Sequence, residues 1–195
     1  MPASSAPFSS APFSTTMPPS IAPPSIDGLA VAAEGSDSGY DRALFQPQAW
    51  ADLDGDGCDT RAEVLIRDSR SLAEVQPGCS VARGDWLSIY DGYSTPDPGE
   101  LDIDHVVALA EAWRSGADGW PNERRLAFAQ DEDNLIAVTA ATNRSKSDRD
   151  PAVWQPPNRD SWCAFAQRWT SAKVRWGLTA DPAEVNAVRV MLGTC

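Results

Sequence analysis

The sequence predicts an α+β fold in which a small strand–strand–helix unit sits among helices, with short antiparallel strands beside it. Three observations predict this. Leu101 to Val107 (LDIDHVV) alternates with the two-residue period of a strand, and Leu135 to Thr139 (LIAVT) is a short apolar, partly β-branched run of the same kind. Ser161 to Trp176 is amphipathic at helical spacing. Asp181-Pro182-Ala183-Glu184 opens a last helix with a capping aspartate, a proline at the first helical position and a glutamate placed to complete a capping box.

The elements follow in order. Residues 1–39 read as a disordered Ser/Pro-rich leader, because MPASSAPFSSAPFSTTMPPSIAPPS offers too little apolar surface to offset the entropy of ordering. Residues 40–195 are the size of one domain with a single core. Within it we distinguish an N-terminal subregion (40–100), a central motif (101–154) and C-terminal helices (155–195). Tyr40 to Trp50 is a short helix or turn interrupted at Pro47. A helix spans about Thr60 to Arg70, with Val64, Leu65 and Leu72 on its inner face. Glu74 to Glu100 is rich in turn residues and suits short antiparallel strands, with Val81, Trp86, Leu87, Ile89 and Tyr90 as core candidates. Helices are expected over Val107–Ser115 and Pro121–Gln130. A turn or helix follows Thr139 through ATNRSKSDRD. Trp162, Phe165, Ala166, Trp169 and Val174 form the inner stripe of the long helix. Trp113, Trp120, Trp154, Trp162 and Trp169 read as core residues rather than base-stacking platforms.

The formal net charge of −12 argues at first against a nucleic-acid partner. The charge is unevenly spread. Ile26 to Glu100 holds 15 acidic and 5 basic residues, whereas Leu101 to Trp176 holds 11 and 10. A polyanion can approach the second, near-neutral and Arg-rich half, with weak and salt-sensitive binding. No apolar run approaches the ~20 residues of a membrane span, and no charged n-region precedes an apolar h-region. Cys58, Cys79, Cys163 and Cys195 form an even set without a CxxC pair, which suits two disulfides better than a zinc site. Of the three possible pairings, Cys58–Cys79 and Cys163–Cys195 keep each bridge within one half of the chain; four buried free thiols are the alternative. The cysteines and the leader together point to an exported protein.

Asp52-Leu53-Asp54-Gly55-Asp56-Gly57, with Glu63 at the twelfth place, matches the EF-hand loop pattern. Asp52, Asp54 and Asp56, the backbone of Cys58 and a bidentate Glu63 would supply an oxygen shell for a structural Ca²⁺. Asp59 stands where a paired loop has an apolar residue, so the loop is expected to act alone. An acidic turn stapled by Cys58 is the plainer alternative.

His105 is the sole histidine, and a lone histidine is more often structural than catalytic. Its company changes that reading: Asp104 precedes it, and Asn134 and Asn143 follow, nine residues apart. Phosphodiester hydrolysis requires a base that works near neutrality, which imidazole supplies. It also requires neutralisation of the phosphate and the leaving oxygen, which one Mg²⁺-like ion held by a carboxylate and an amide oxygen supplies. Neighbouring residues on a strand point to opposite faces, so Asp104 and His105 can converge only where the strand ends or distorts.

DIDHVVAL, DEDNLIAV and NRSKSD together resemble the signature of the HNH, or ββα-metal, endonucleases. The closer likeness is to the branch typified by the C-terminal nuclease domain of GmrSD-type restriction enzymes, which includes small exported proteins. GYDR, DGDGCDTRAEVL, EAWRSGA and DPAVWQPP share the likeness, which covers about 40–195. The resemblance implies that His105 is the general base and Asn134 the asparagine that ties the loop and orients it. It implies that Asp104 and Asn143 hold the metal, Mg²⁺ or Mn²⁺ given the all-oxygen ligands. Arg144, Lys146 and Arg149 are the expected phosphate contacts. The implied substrate is DNA, with RNA sharing the same bond; a monomer with no obligate protein partner is the expectation. A different class of function stays open: a calcium-stabilised extracellular binding module with an inactive HNH pocket.

Overall fold

The computed structural model describes residues 26–48 and 50–195; most of the Ser/Pro-rich leader lies outside them. The elements are β1 (Ala30–Val31), a 3-10 turn (Arg42–Leu44), α1 (Thr60–Asp68), β2 (Glu74–Gln76), β3 (Ser80–Arg83), β4 (Trp86–Leu87) and β5 (Ser94–Thr95). They continue with β6 (Leu101–His105), α2 (Leu109–Arg114), α3 (Asn122–Ala129), β7 (Leu135–Thr139), α4 (Ala140–Lys146), α5 (Trp162–Trp176), β8 (Thr179–Ala180) and α6 (Pro182–Leu192). The strands pair two by two: β2–β3, β4–β5 and β6–β7 are antiparallel, and β1–β8 is parallel. The architecture is α+β, as the periodicities predict.

The β6–β7 ribbon is central because both its faces are covered. Leu101, Ile103, Leu135 and Ala137 pack with Val64 and Leu65 of α1 and with Trp86. Ile136 and Val138, on the other face, join the larger core of Phe45, Trp113, Phe128, Phe165, Trp169 and Val188. Double coverage explains why LIAVT is apolar throughout rather than alternating. The chain then turns into α4, whose first turn is tied down by Asp91: its carboxylate accepts hydrogen bonds from the Thr139 and Thr142 hydroxyls.

The two disulfides are Cys58–Cys79 and Cys163–Cys195, the pairing expected. α6 begins with the capping box read from Asp181 and Glu184. Several expectations are corrected. The fold begins before residue 40: Ala30 and Val31 pair with Thr179 and Ala180, and Ile26 and Leu29 pack on the larger core. Leu72 is 98% exposed, because α1 ends at Asp68 and the following extended residue takes Leu72 out of the helical stripe. Leu87 faces outward, alternating with buried Trp86 on β4. On α5 the inner position falls to Lys173, leaving Val174 exposed.

Lys173 goes inside because it has carboxylates to meet. Its Nζ donates to Glu111 Oε1 at 2.5 Å, to Glu184 Oε1 at 3.3 Å, and to Ser115 Oγ and the Thr179 carbonyl. Glu111, Asp150 and Glu184 form a buried acidic group around which α2, α5 and α6 assemble. Burial and the charge of Glu111, against the opposing Lys173, push the Glu184 carboxyl up to about 8.

Candidate functional site

β6 and β7 run in register from Leu101 opposite Thr139 to His105 opposite Leu135. Alternation puts Asp102 and Asp104 on one face and His105 on the other. The strand ends at His105, and there the two faces converge: Asp104, His105, Asn143 and Arg144 all line one open cavity of about 590 Å³. The geometric condition on Asp104 and His105 is met by strand termination.

Asn134 sits just before β7, fully buried, and holds the chain beyond His105 like a clasp. Its Oδ1 accepts from the Val107 amide at 2.9 Å, its Nδ2 donates to the Val107 carbonyl at 3.1 Å, and its own carbonyl accepts from Val106. Asn134 therefore acts on His105 through the backbone and does not line the cavity.

His105 Nε2 lies 2.8 Å from the Ala129 carbonyl. A carbonyl can only accept, so Nε2 carries the proton and Nδ1 keeps its lone pair. Trp50 stacks on the imidazole, ring centroids 5.6 Å apart and planes 21° from parallel. Burial lowers the His105 pKa to about 3, with the Ala129 bond opposing and the charges of Arg42 and Lys146 adding to the fall. The ring is a neutral base at any ordinary pH.

Asp104 accepts from Tyr90 Oη at 2.7 Å and from Lys146 Nζ at 3.0 and 2.9 Å. Burial raises its pKa, against the opposing charge of Lys146. Lys146 also donates to the His105 carbonyl at 2.8 Å and is 0% exposed. This corrects the expectation for Lys146: an ammonium buried on Asp104 and the backbone is out of reach of a phosphate in solution. Arg149 is exposed, bonds the Ser145 carbonyl and does not border the cavity, which corrects it too as a contact at this site. Arg144 remains at the cavity.

Asn143 donates Nδ2 to Asp102 at 3.1 Å, which turns its Oδ1 away as an acceptor. Asp104 carboxylate and Asn143 amide oxygens border one cavity and are of the kind that could hold a hard divalent cation. Sequence reading missed several participants. Asp102 was readable, lying two residues from Asp104 on the same face. Tyr90 looked like core alone, and Trp50, Arg42 and the Ala129 carbonyl left no sequence signal.

In the acidic loop, ligand oxygens of Asp52, Asp54 and Asp56 all lie within 4.8 Å of one another. Gly55 and Gly57 adopt positive φ of 78° and 96°, which lets their amides turn inward to Asp52. Glu63 stands outside this tight group. Burial raises its carboxyl pKa, helped by the charges of Glu132 and the three aspartates.

The family described as GmrSD restriction endonucleases, C-terminal domain, matches residues 60–187. An uncharacterized secreted protein of Arthroderma benhamiae is 39% identical over 172 residues, covering 87% of this chain and 82% of that protein. No solved structure matches.

Proposed function

Because the chain belongs to the family of GmrSD restriction endonuclease C-terminal domains, we propose that it is a metal-dependent endonuclease that hydrolyses DNA phosphodiesters. The observation that carries this reading is the convergence of Asp104, His105 and Asn143 on one cavity at the end of β6. His105 Nδ1 takes the proton of the attacking water while the Ala129 carbonyl holds Nε2–H and fixes the ring. The water oxygen bonds to phosphorus, the P–O3′ bond breaks, and the 3′ oxygen leaves to be protonated from solvent. Asp104 and Asn143 are the residues to hold Mg²⁺ or Mn²⁺; a bound divalent cation would stabilise charge on the phosphate and the leaving oxygen. Lys146 and Tyr90 aim Asp104, and Asn134 fixes the backbone after His105. Arg144 borders the cavity as a phosphate contact. A structural Ca²⁺ is assigned to the loop of Asp52, Asp54 and Asp56, with Glu63 closing on it.

Export is supported by the two disulfides and by the secreted relative. Among the described residues no helix is long and apolar enough to cross a membrane.

The test is nicking of supercoiled plasmid by the purified, disulfide-intact protein with Mg²⁺ or Mn²⁺, beside His105→Ala. Cutting by the parent and none by the variant is expected. A parent that leaves plasmid and RNA intact with each ion favours the calcium-stabilised binding module instead; equal cutting by both removes His105 as the base.

A further inference from the structure

Arg42 comes from a segment outside the ββα unit, yet it borders the same cavity as Asp104, His105 and Asn143. Its backbone is firmly held. Asp41 caps the 3-10 turn by accepting from the Ala43 amide at 2.9 Å. Phe45, at the end of that turn, is fully buried, with its ring against Trp113 and Phe128. Tyr40, on the near side, packs on both Phe45 and Trp113. The side chain itself is exposed, and its Nη2 donates to Gln46 at 3.0 Å.

Arg144, on α4, borders the cavity from within the ββα unit, and two further cations nearby have anions of their own. Arg114 pairs with Glu34, Asp37, Glu111 and Asp148, and Lys146 pairs with Asp104. Arg42 makes no ion pair within 4 Å among the described residues, although Asp37, Asp104 and Asp148 border the same space. A guanidinium without an ion pair at the edge of this cavity is placed to meet an anion that enters it. A phosphodiester approaching its transition state is such an anion, and it gains negative charge as the imidazole gains its proton. The planar fork of an arginine matches two phosphate oxygens.

Building on the nuclease reading, we propose that Arg42 is a catalytic residue that binds the scissile phosphate, and that residues 40–45 exist at this place to deliver it. The contact strengthens as charge develops, so it acts on kcat more than on KM.

The experiment compares the parent, Arg42→Ala and Arg42→Lys on a labelled DNA duplex with Mn²⁺, measuring kcat and KM over a range of salt. Arg42→Ala is expected to lower kcat about 100-fold, the loss typical of removing one transition-state donor. KM and the salt dependence should stay near the parent's, and added guanidinium ion should restore part of the rate. Arg42→Lys should recover less than half of the loss, since an ammonium is a point charge without the fork. An unchanged kcat overturns the proposal. So does a loss carried by KM with a shallower salt dependence, which marks a contact to a flanking phosphate. An inactive parent removes the nuclease reading itself and is distinguished by failing before any variant is compared.

Discussion

Lys146 Nζ lies 3.0 Å from Asp104 Oδ1 and 2.9 Å from Oδ2, with the lysine fully buried and the aspartate reaching the cavity only at its edge. Removing the ammonium leaves a buried carboxylate without its counter-charge. Lys146→Met should therefore destabilise the metal-free protein by about 3–5 kcal/mol, the range for breaking a buried pair from one side. Adding Asp104→Asn should recover part of that loss. Urea unfolding of the single and double variants measures both, and a Lys146→Met protein as stable as the parent removes the pair from the account.

His105 is held neutral, its pKa lowered from 6.5 to about 3 chiefly by burial. The unfolded chain binds a proton there more readily than the folded one, so stability is full above about 6.5 and is lost as pH falls towards 3. In the presence of EDTA, thermal unfolding of the parent should weaken across this window more steeply than that of His105→Gln. Parallel pH profiles for the two would contradict this.

The Glu184 carboxyl behaves in the opposite sense. Raised from 4.5 to about 8 by burial and by Glu111, it holds its proton more tightly in the folded state. Its contribution is full below about 4.5 and is lost as pH rises through 8. Glu184→Gln keeps an acceptor for the Asp181 amide and should flatten the fall in melting temperature between about pH 4.5 and 8. A variant with the parent's slope would place the titration elsewhere.

The acidic loop predicts a metal-dependent stability distinct from activity. EDTA should lower the melting temperature, and Ca²⁺ should restore it where Mg²⁺ at equal concentration does not. At a hundredfold excess over its dissociation constant, Ca²⁺ would contribute roughly 2.7 kcal/mol. Asp52→Ala with Asp56→Ala should abolish the response. Calorimetry that finds no binding to the parent sinks the calcium assignment.

What could be read in advance was what short-range periodicity and spacing encode. The β6–β7 ribbon, the α6 capping box at Asp181 and Glu184, and both disulfides follow from residues close in sequence or few in number. Convergence of Asp104 and His105 needed only the end of a strand. Lys146 misled because proximity to Asn143 in sequence does not tell which way a lysine turns, and a buried carboxylate drew it inward. Trp50 and the Ala129 carbonyl meet His105, and Arg42 reaches its cavity, through tertiary packing alone. Val174 lost its inner place to Lys173 because the neighbouring helices bring Glu111 and Glu184 there, which the pattern of one helix cannot reveal.

The parallel pairing of Ala30–Val31 with Thr179–Ala180 has a consequence for biosynthesis. The segment that leads to Arg42 emerges from the ribosome well before its strand partner. A chain interrupted before Thr179 has the histidine, the asparagines and the acidic loop, yet lacks the strand that pairs with Ala30 and Val31. The contact that joins the start of the fold to its last strand therefore closes only after both ends of this long loop have been made, late in the order in which the elements can form.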